Sequence, residues 1–189
     1  MVKVIRKSFM MLLVMTLVTG IIYPLGITGL AQVFFPRTAN GTLLSNQGET
    51  VGSALIGQNY TDAKYFHGRP SAAGEGYDAA ASSGSNLGPT NQVLLQSVAD
   101  RADQIRKENN LARDTAIPAD LVTASASGLD PNISPEAAML QVPRVARERN
   151  LDEARVQDLV RQYTEGRQFG ILGEPRVNLL KLNRILDNL

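Results

Sequence analysis

Hydrophobic positions follow two regimes along the chain. From Ser8 to Pro36 there is no charged residue, and Phe9–Thr28 (FMMLLVMTLVTGIIYPLGIT) is apolar almost throughout. About 20 such residues cross a ~30 Å hydrocarbon core as a helix, and a helix pairs each backbone N–H and C=O within the segment. The pattern predicts one N-terminal transmembrane helix. Pro24, late in the run, predicts a kink or a loosened last turn. Tyr23, Phe34 and Phe35 suit the far headgroup layer.

Beyond residue 36 the apolar positions become sparse and periodic. Turn-like Asn40-Gly41 and Asn46-Gln47-Gly48 bracket short β-prone runs, Thr42–Leu44 and Thr50–Ile56, which predicts a hairpin. Tyr60–Arg69 reads as strand or loop. The Gly68–Pro89 run is rich in Gly, Ala and Ser, and a run that long is a functional loop or a linker. Val93, Leu94, Leu95, Val98, Ala102 and Ile105 then recur at helical spacing, predicting a helix over 91–109. Asp120–Ser125 reads as a short strand. Ser134-Pro135 predicts a helix start, with the helix running toward Arg149 and bent or broken at Pro143. Asp152 opens another helix, ended before Gly166. Val177, Leu179, Leu180, Leu182, Ile185, Leu186 and Leu189 predict an apolar C-terminal helix. With strands early and helices late, the expected class is α+β: a soluble domain with a small mixed or antiparallel sheet and several helices, tethered by one N-terminal transmembrane helix. Its expected parts are a basic N-terminus (1–7), the anchor with its interfacial end (8–36) and the soluble domain (37–189).

Charge sets the expected orientation. Lys3, Arg6 and Lys7 precede the apolar run, and no acidic residue occurs before Glu49. Basic residues flanking a span favour the cytoplasm, which puts the N-terminus inside and the large domain outside a cell membrane, in contact with lipid through one pass. A cleaved signal peptide is the alternative, with Gly29-Leu30-Ala31 as its cleavage site; the apolar region exceeds the usual 7–15 residues of a signal. Setting Lys3, Arg6 and Lys7 aside leaves 16 of the 19 basic residues against 18 acidic ones in a chain of 189. That balance lacks the dense basic face that neutralises phosphates, so nucleic acid is not an expected partner. There are no cysteines and one histidine, His67, so thiolate metal sites are excluded and no metal site is expected.

Motif chemistry is sparse. Gly74–Ala79 matches G-x-G-x-x-A but sits in the small-residue run rather than between a strand and a helix. There is no P-loop and no Asp-Lys-Thr-Gly phosphorylation motif. Thr50-Val51-Gly52 matches the start of a potassium filter, which needs four such loops within a membrane. His67 could act as a base beside Ser71 or an Asp, but no third partner is identifiable, and no catalytic residue is assigned. Ser83–Asn91 could form an anion-binding nest or a turn feeding the next helix.

Longer segments carry more. Tyr23-Pro24, Gly52–Gln58, Tyr65–Ala72 (YFHGRPSA), Gly84–Asn91 (GSNLGPTN), Asp120–Ser125 (DLVTAS), Ser127–Pro131, Ile133-Ser134-Pro135 and Gly173–Asn178 (GEPRVN) occur in this order. In these segments the chain resembles the C-subunit (KdpC) family of the prokaryotic Kdp potassium-transporting P-type ATPases, over essentially its whole length. Ser83 and Ala126 stand where that family often has glycine, so negative φ is expected at both; Asn132 stands where it commonly has histidine.

The resemblance implies a non-catalytic accessory subunit of a potassium import complex, needed for assembly or activity. Its implied partners are a channel-like potassium-binding subunit, a P-type ATPase subunit and a very small membrane subunit. It also implies a catalytic-chaperone role that raises ATP affinity, with ATP reached only through the ATPase subunit. An external domain sits awkwardly with that role, because ATP is cytoplasmic. The mild acidity and the expected side favour a domain that stabilises the complex or caps the external potassium entrance. Thr16, Thr19 and Gly20 are the anchor's expected contacts with the channel-like subunit. A membrane-anchored extracytoplasmic enzyme or ligand-binding module, with its site in the Gly68–Pro89 loop, is the rival reading.

Overall fold

The computed structural model describes every residue except Gln47, and Asn46 by its backbone only. The described residues form two compact units, Met1–Ser53 and Ala54–Leu189.

In the first unit, residues Val2–Phe34 make one 33-residue helical run long and apolar enough to cross a bilayer. It comprises helix α1 (Val2–Leu17), a π-helical turn (Val18–Ile22) and α2 (Tyr23–Phe34). The π turn lies just ahead of Pro24, and the Tyr23 N–H donates to Val18 O, five residues back. Pro24 has no N–H to offer the Gly20 carbonyl and its ring crowds that turn; the wider register absorbs both effects without ending the helix. The loosening expected at Pro24 therefore falls on the turn before it. Thr19 Oγ1 donates to Met15 O at 2.7 Å, a back-bond that further perturbs this turn. A short helix α3 (Pro36–Ala39) follows. Strands β1 (Leu43–Asn46) and β2 (Glu49–Ser53) then pair antiparallel with a bulge at Leu44/Ser45. The hairpin lies where the turn residues put it, although Gln47 of the expected turn is outside the described residues.

The second unit packs helices α4 (Gln92–Glu108), α5 (Ala119–Val122), α6 (Pro135–Arg149), α7 (Glu153–Gln162) and α8 (Leu179–Asp187) with strands β3 (Asn132–Ile133), β4 (Thr164–Glu165) and β5 (Arg176–Asn178). The strands form an antiparallel sheet in the order β3-β5-β4, with Val177 of β5 facing Ile133 on one side and Thr164 on the other. Caps begin three of the helices where expected: the side chains of Asn91, Ser134 and Asp152 accept from Val93, Ala137 and Ala154 N–H. The core joins Phe66, Ile133, Val142, Val145, Val156, Val160, Val177 and Leu182, all nearly inaccessible. The class is α+β, with small antiparallel sheets, several helices and the N-terminal apolar helix.

Four local expectations are corrected. Asp120–Ser125 is not a strand: Ala119–Val122 forms one helical turn after Pro118, and it buries the adjacent Leu121 and Val122, which strand alternation would send to opposite faces. Val177 belongs to β5, with helix α8 starting only at Leu179. Helix α6 is not broken at Pro143; the proline is exposed while its neighbours Val142 and Arg144 are buried, so tertiary packing holds the helix through the lost N–H. The strands are not confined to the early part of the chain, since β3, β4 and β5 alternate with the later helices.

Candidate functional site

A cleft of about 390 Å³ in the second unit lies between the segment around His67 and helix α4; Tyr60, His67, Arg69, Tyr77, Arg101 and Glu108 are among its walls. His67 and Gly68 in its lining end the Ala63–Gly68 segment, which leaves a turn at 62–65 and pairs with no strand. Polar side chains from distant helices supply what a neighbouring strand would. Gln141 on α6 accepts from His67 N–H at 2.8 Å and donates to His67 O at 3.1 Å. Asn183 on α8 does the same for Phe66, at 2.9 and 3.0 Å. Arg144, only 2% exposed, donates to the carbonyls of Tyr65 (2.9 Å) and Ala63, to Gln141 Oε1 (2.7 Å) and to Asn109 Oδ1 (3.0 Å). Buried backbone groups need such partners, and the arrangement leaves the Phe66 ring in the core.

The far wall closes by a second set of contacts. Arg69 reaches Asp130 at 3.2 Å and the carbonyls of Thr123 and Ala124. The Ser71 hydroxyl donates to Gly128 O at 2.6 Å and accepts from Tyr77 N–H at 2.7 Å and Ala73 N–H at 3.2 Å. Tyr77 donates its hydroxyl proton to Arg69 O at 2.7 Å. Thus the Gly68–Pro89 run is an ordered loop folded over the 123–130 segment, with Ser83 N–H and the Ser82 hydroxyl both donating to Ser127 O. Gly74–Ala79 is a set of turns, with positive φ at Gly74, Gly76 and Tyr77, and opens only a short 3-10 turn. Within Ser83–Asn91, Asn91 caps α4 and its N–H donates to Gly88 O, which is the turn feeding the helix.

His67 and Ser71 are not brought together as a base and nucleophile. The hydroxyl of Ser71 is saturated as described. The His67 ring instead lies between the Asp62 carbonyl (Nε2, 3.1 Å) and the Glu108 carboxylate (Nδ1, 3.5 Å). Two acceptors favour the doubly protonated ring. Burial, and after it the Arg144 guanidinium, outweigh them and lower the His67 pKa from its ordinary 6.5. At neutral pH the ring is neutral, so the Glu108 contact is not an ion pair. Because the folded pKa is the lower one, the unfolded chain takes up this proton first. The stability involved is fully present above pH 6.5 and is lost as pH falls through the folded value. Thermal melts of the full chain between pH 8 and pH 5 should show a decline below about pH 6.5 that is smaller in His67→Gln. An identical acid slope in both would remove His67 as its source. Among the described residues no group of three His, Asp or Glu is arranged to hold a metal ion.

Four of the eight segments that carried the family resemblance therefore meet here: Tyr65–Ala72, Gly84–Asn91, Asp120–Ser125 and Ser127–Pro131. Residues 5–188 match the family model described as K+-transporting ATPase, c chain (KdpC). The chain belongs to the KdpC family. It is similar to the potassium-transporting ATPase KdpC subunit of Mycobacterium tuberculosis strain H37Rv, with 59% identity covering 95% of each chain. It is also similar to the KdpC subunits of Methylococcus capsulatus, 55% identical over 100% of both chains, and of Rhodopseudomonas palustris, 52% identical over 99% of this chain and 98% of that one. Where this KdpC chain departs from the expected family pattern, the backbone complies: neither Ser83 nor Ala126 is among the residues with positive φ. Asn132 donates its N–H and side-chain amide to Asp130 Oδ1, at 3.0 and 3.2 Å, turning the chain into β3. The residues that sequence reading missed are Gln141, Arg144 and Asn183. Their only signal was polarity on helices otherwise patterned for burial.

Proposed function

We propose that this chain is a non-catalytic accessory subunit of an ATP-driven potassium importer, anchored by Val2–Phe34 and needed for assembly and activity of the complex. The match of residues 5–188 to the KdpC family carries the reading. The partners are the channel-like potassium-binding subunit, the P-type ATPase subunit and the small membrane subunit. Lys3, Arg6 and Lys7 keep the N-terminus in the cytoplasm, so the second unit lies outside, where it stabilises the complex or caps the potassium entrance. Direct contact with ATP is the competing mechanism and requires the reverse orientation. The cleft favours neither, since its two arginines are engaged within the protein, Arg69 with Asp130 and Arg101 with Val122 O.

The test is protease added to intact cells expressing the full complex, with any outer membrane permeabilised. Cleavage of residues 54–189 without lysis is expected. Protection until the inner membrane is broken, together with crosslinking of a labelled ATP analogue to this chain, would reverse the orientation and restore a direct effect on ATP affinity.

A further inference from the structure

The β4–β5 hairpin ends in an apex that the role above leaves unexplained. Phe169, Ile171 and Leu172 are 91%, 75% and 54% exposed, three large apolar groups within four residues. The apex is ordered. Gln168 N–H donates to Leu172 O at 2.8 Å and Leu172 N–H returns to Gln168 O at 2.9 Å, while the N–H groups of Gly170 and Ile171 donate to Arg167 O and Gln168 O. Phe169 and Gly170 take positive φ, 52° and 77°, to close the turn. Below the apex, Arg167 and Glu174 pair across the hairpin at 2.6 Å. Its base is fixed by Glu165, which receives Lys181 at 2.8 Å and Arg176 at 3.1 Å.

We infer that this apex inserts into the lipid interface of the membrane that holds the chain's N-terminal helix. Three observations select lipid as the occupant. The second unit begins at Ala54, twenty residues beyond the end of α2, so a bilayer is always within its reach; tethering makes weak insertion effective. Of the five N–H groups of residues 168–172, those of Gln168, Gly170, Ile171 and Leu172 are already bonded within the hairpin, which lowers the cost of carrying the apex into a medium without water. The neck carries one guanidinium and one carboxylate, matching a headgroup layer that presents phosphate and amine. Exposed apolar groups clustered in this way mark a contact surface rather than ordinary surface scatter. The inference rests on the helix being a retained anchor and not on which face of the membrane the unit occupies.

The chain contains no tryptophan, which makes single reporters clean. Full-length F169W, reconstituted in phosphatidylethanolamine–phosphatidylglycerol vesicles, should emit at blue-shifted wavelength and lose intensity when the acyl chains are brominated. I171W serves as a second reporter, because residue 169 sits at positive φ. Y23W reports the anchor independently and should be quenched; Q96W, on an exposed part of α4, should not be. The inference stands if either apex reporter is quenched while Q96W is not. It falls if both apex reporters emit as in water while Y23W is quenched, including the case in which they become shielded only after the other subunits are added, which would make the apex a protein-docking element. Loss of Y23W quenching would overturn the anchor itself.

Discussion

Replacing Arg144 with methionine is expected to destabilise the second unit by about 4 kcal/mol, with a fall in Tm of roughly 10–15 °C. Methionine keeps much of the buried stem but removes every donor. The carbonyls of Ala63 and Tyr65, the Gln141 amide oxygen and the Asn109 amide oxygen each lose a partner. A buried polar group left unsatisfied costs about 1–3 kcal/mol, and four acceptors are affected, some of which can turn to find others. The consequence extends past stability, because Arg144 holds to α6 the Ala63–Gly68 segment that carries the cleft-lining His67 and Gly68. Limited proteolysis should open first between residues 60 and 68. Lysine at 144 should rescue only part of the loss, since one ammonium does not reproduce a planar fork of donors. Melting of R144M within about 1 kcal/mol of the unmodified chain would show that the segment is held by Gln141 and Asn183 alone.

The second large effect is expected from a single methyl group. At Gly128, φ is +66°, and a Cβ would lie 2.6 Å from Ser83 O, 2.7 Å from Ala73 N and 2.8 Å from Ala73 Cβ. Two of those atoms are backbone, so no flexible side chain can move aside. The left-handed conformation adds about 1–3 kcal/mol for a non-glycine residue and overpacking a further 1–3 kcal/mol. Gly128→Ala should therefore lose about 2–6 kcal/mol. It should also separate the Gly68–Pro89 loop from the 123–130 segment, since Ser71 bonds to Gly128 O itself. Gly166→Ala is the control: its Cβ would meet nothing within 4 Å, and its melt should be unchanged. A native-like melt for G128A would show that the two segments can part without loss. Because folded domains are only about 5–15 kcal/mol stable, G128A should also lower the yield of any complex this chain joins.

How much of this was legible in the sequence depends on how local the signal was. The N-terminal apolar helix needed only an uninterrupted apolar run, and helices α4, α6 and α7 only a cap and a 3.6-residue period. Each of those signals acts between residues a few positions apart, so it survives in a linear reading. Strands β3, β4 and β5 are two or three residues long, too short for a period of two to show. They exist because β5 finds partners on both sides in three dimensions. The Ala119–Val122 turn was misread as a strand because β-prone residue types there are overruled by the need to bury Leu121 and Val122 together.

The candidate site divides in the same way. Its motif segments were visible as segments, and their convergence was not. His67 and Ser71, close in sequence, point to different partners. Ala63–Gly68 is held by Gln141, Arg144 and Asn183, between about 74 and 117 residues away in the cases of His67 and Phe66, and nothing local in a helix announces which distant carbonyl its amide will meet. The N-terminal apolar helix, the capped helices and the α+β class were thus determined by the sequence alone, through near-neighbour sterics and hydrophobic patterning. The paired loops, the cleft and the exposed Phe169–Leu172 apex were decided only by the tertiary structure, because each depends on which groups long-range packing brings together and which it leaves uncovered.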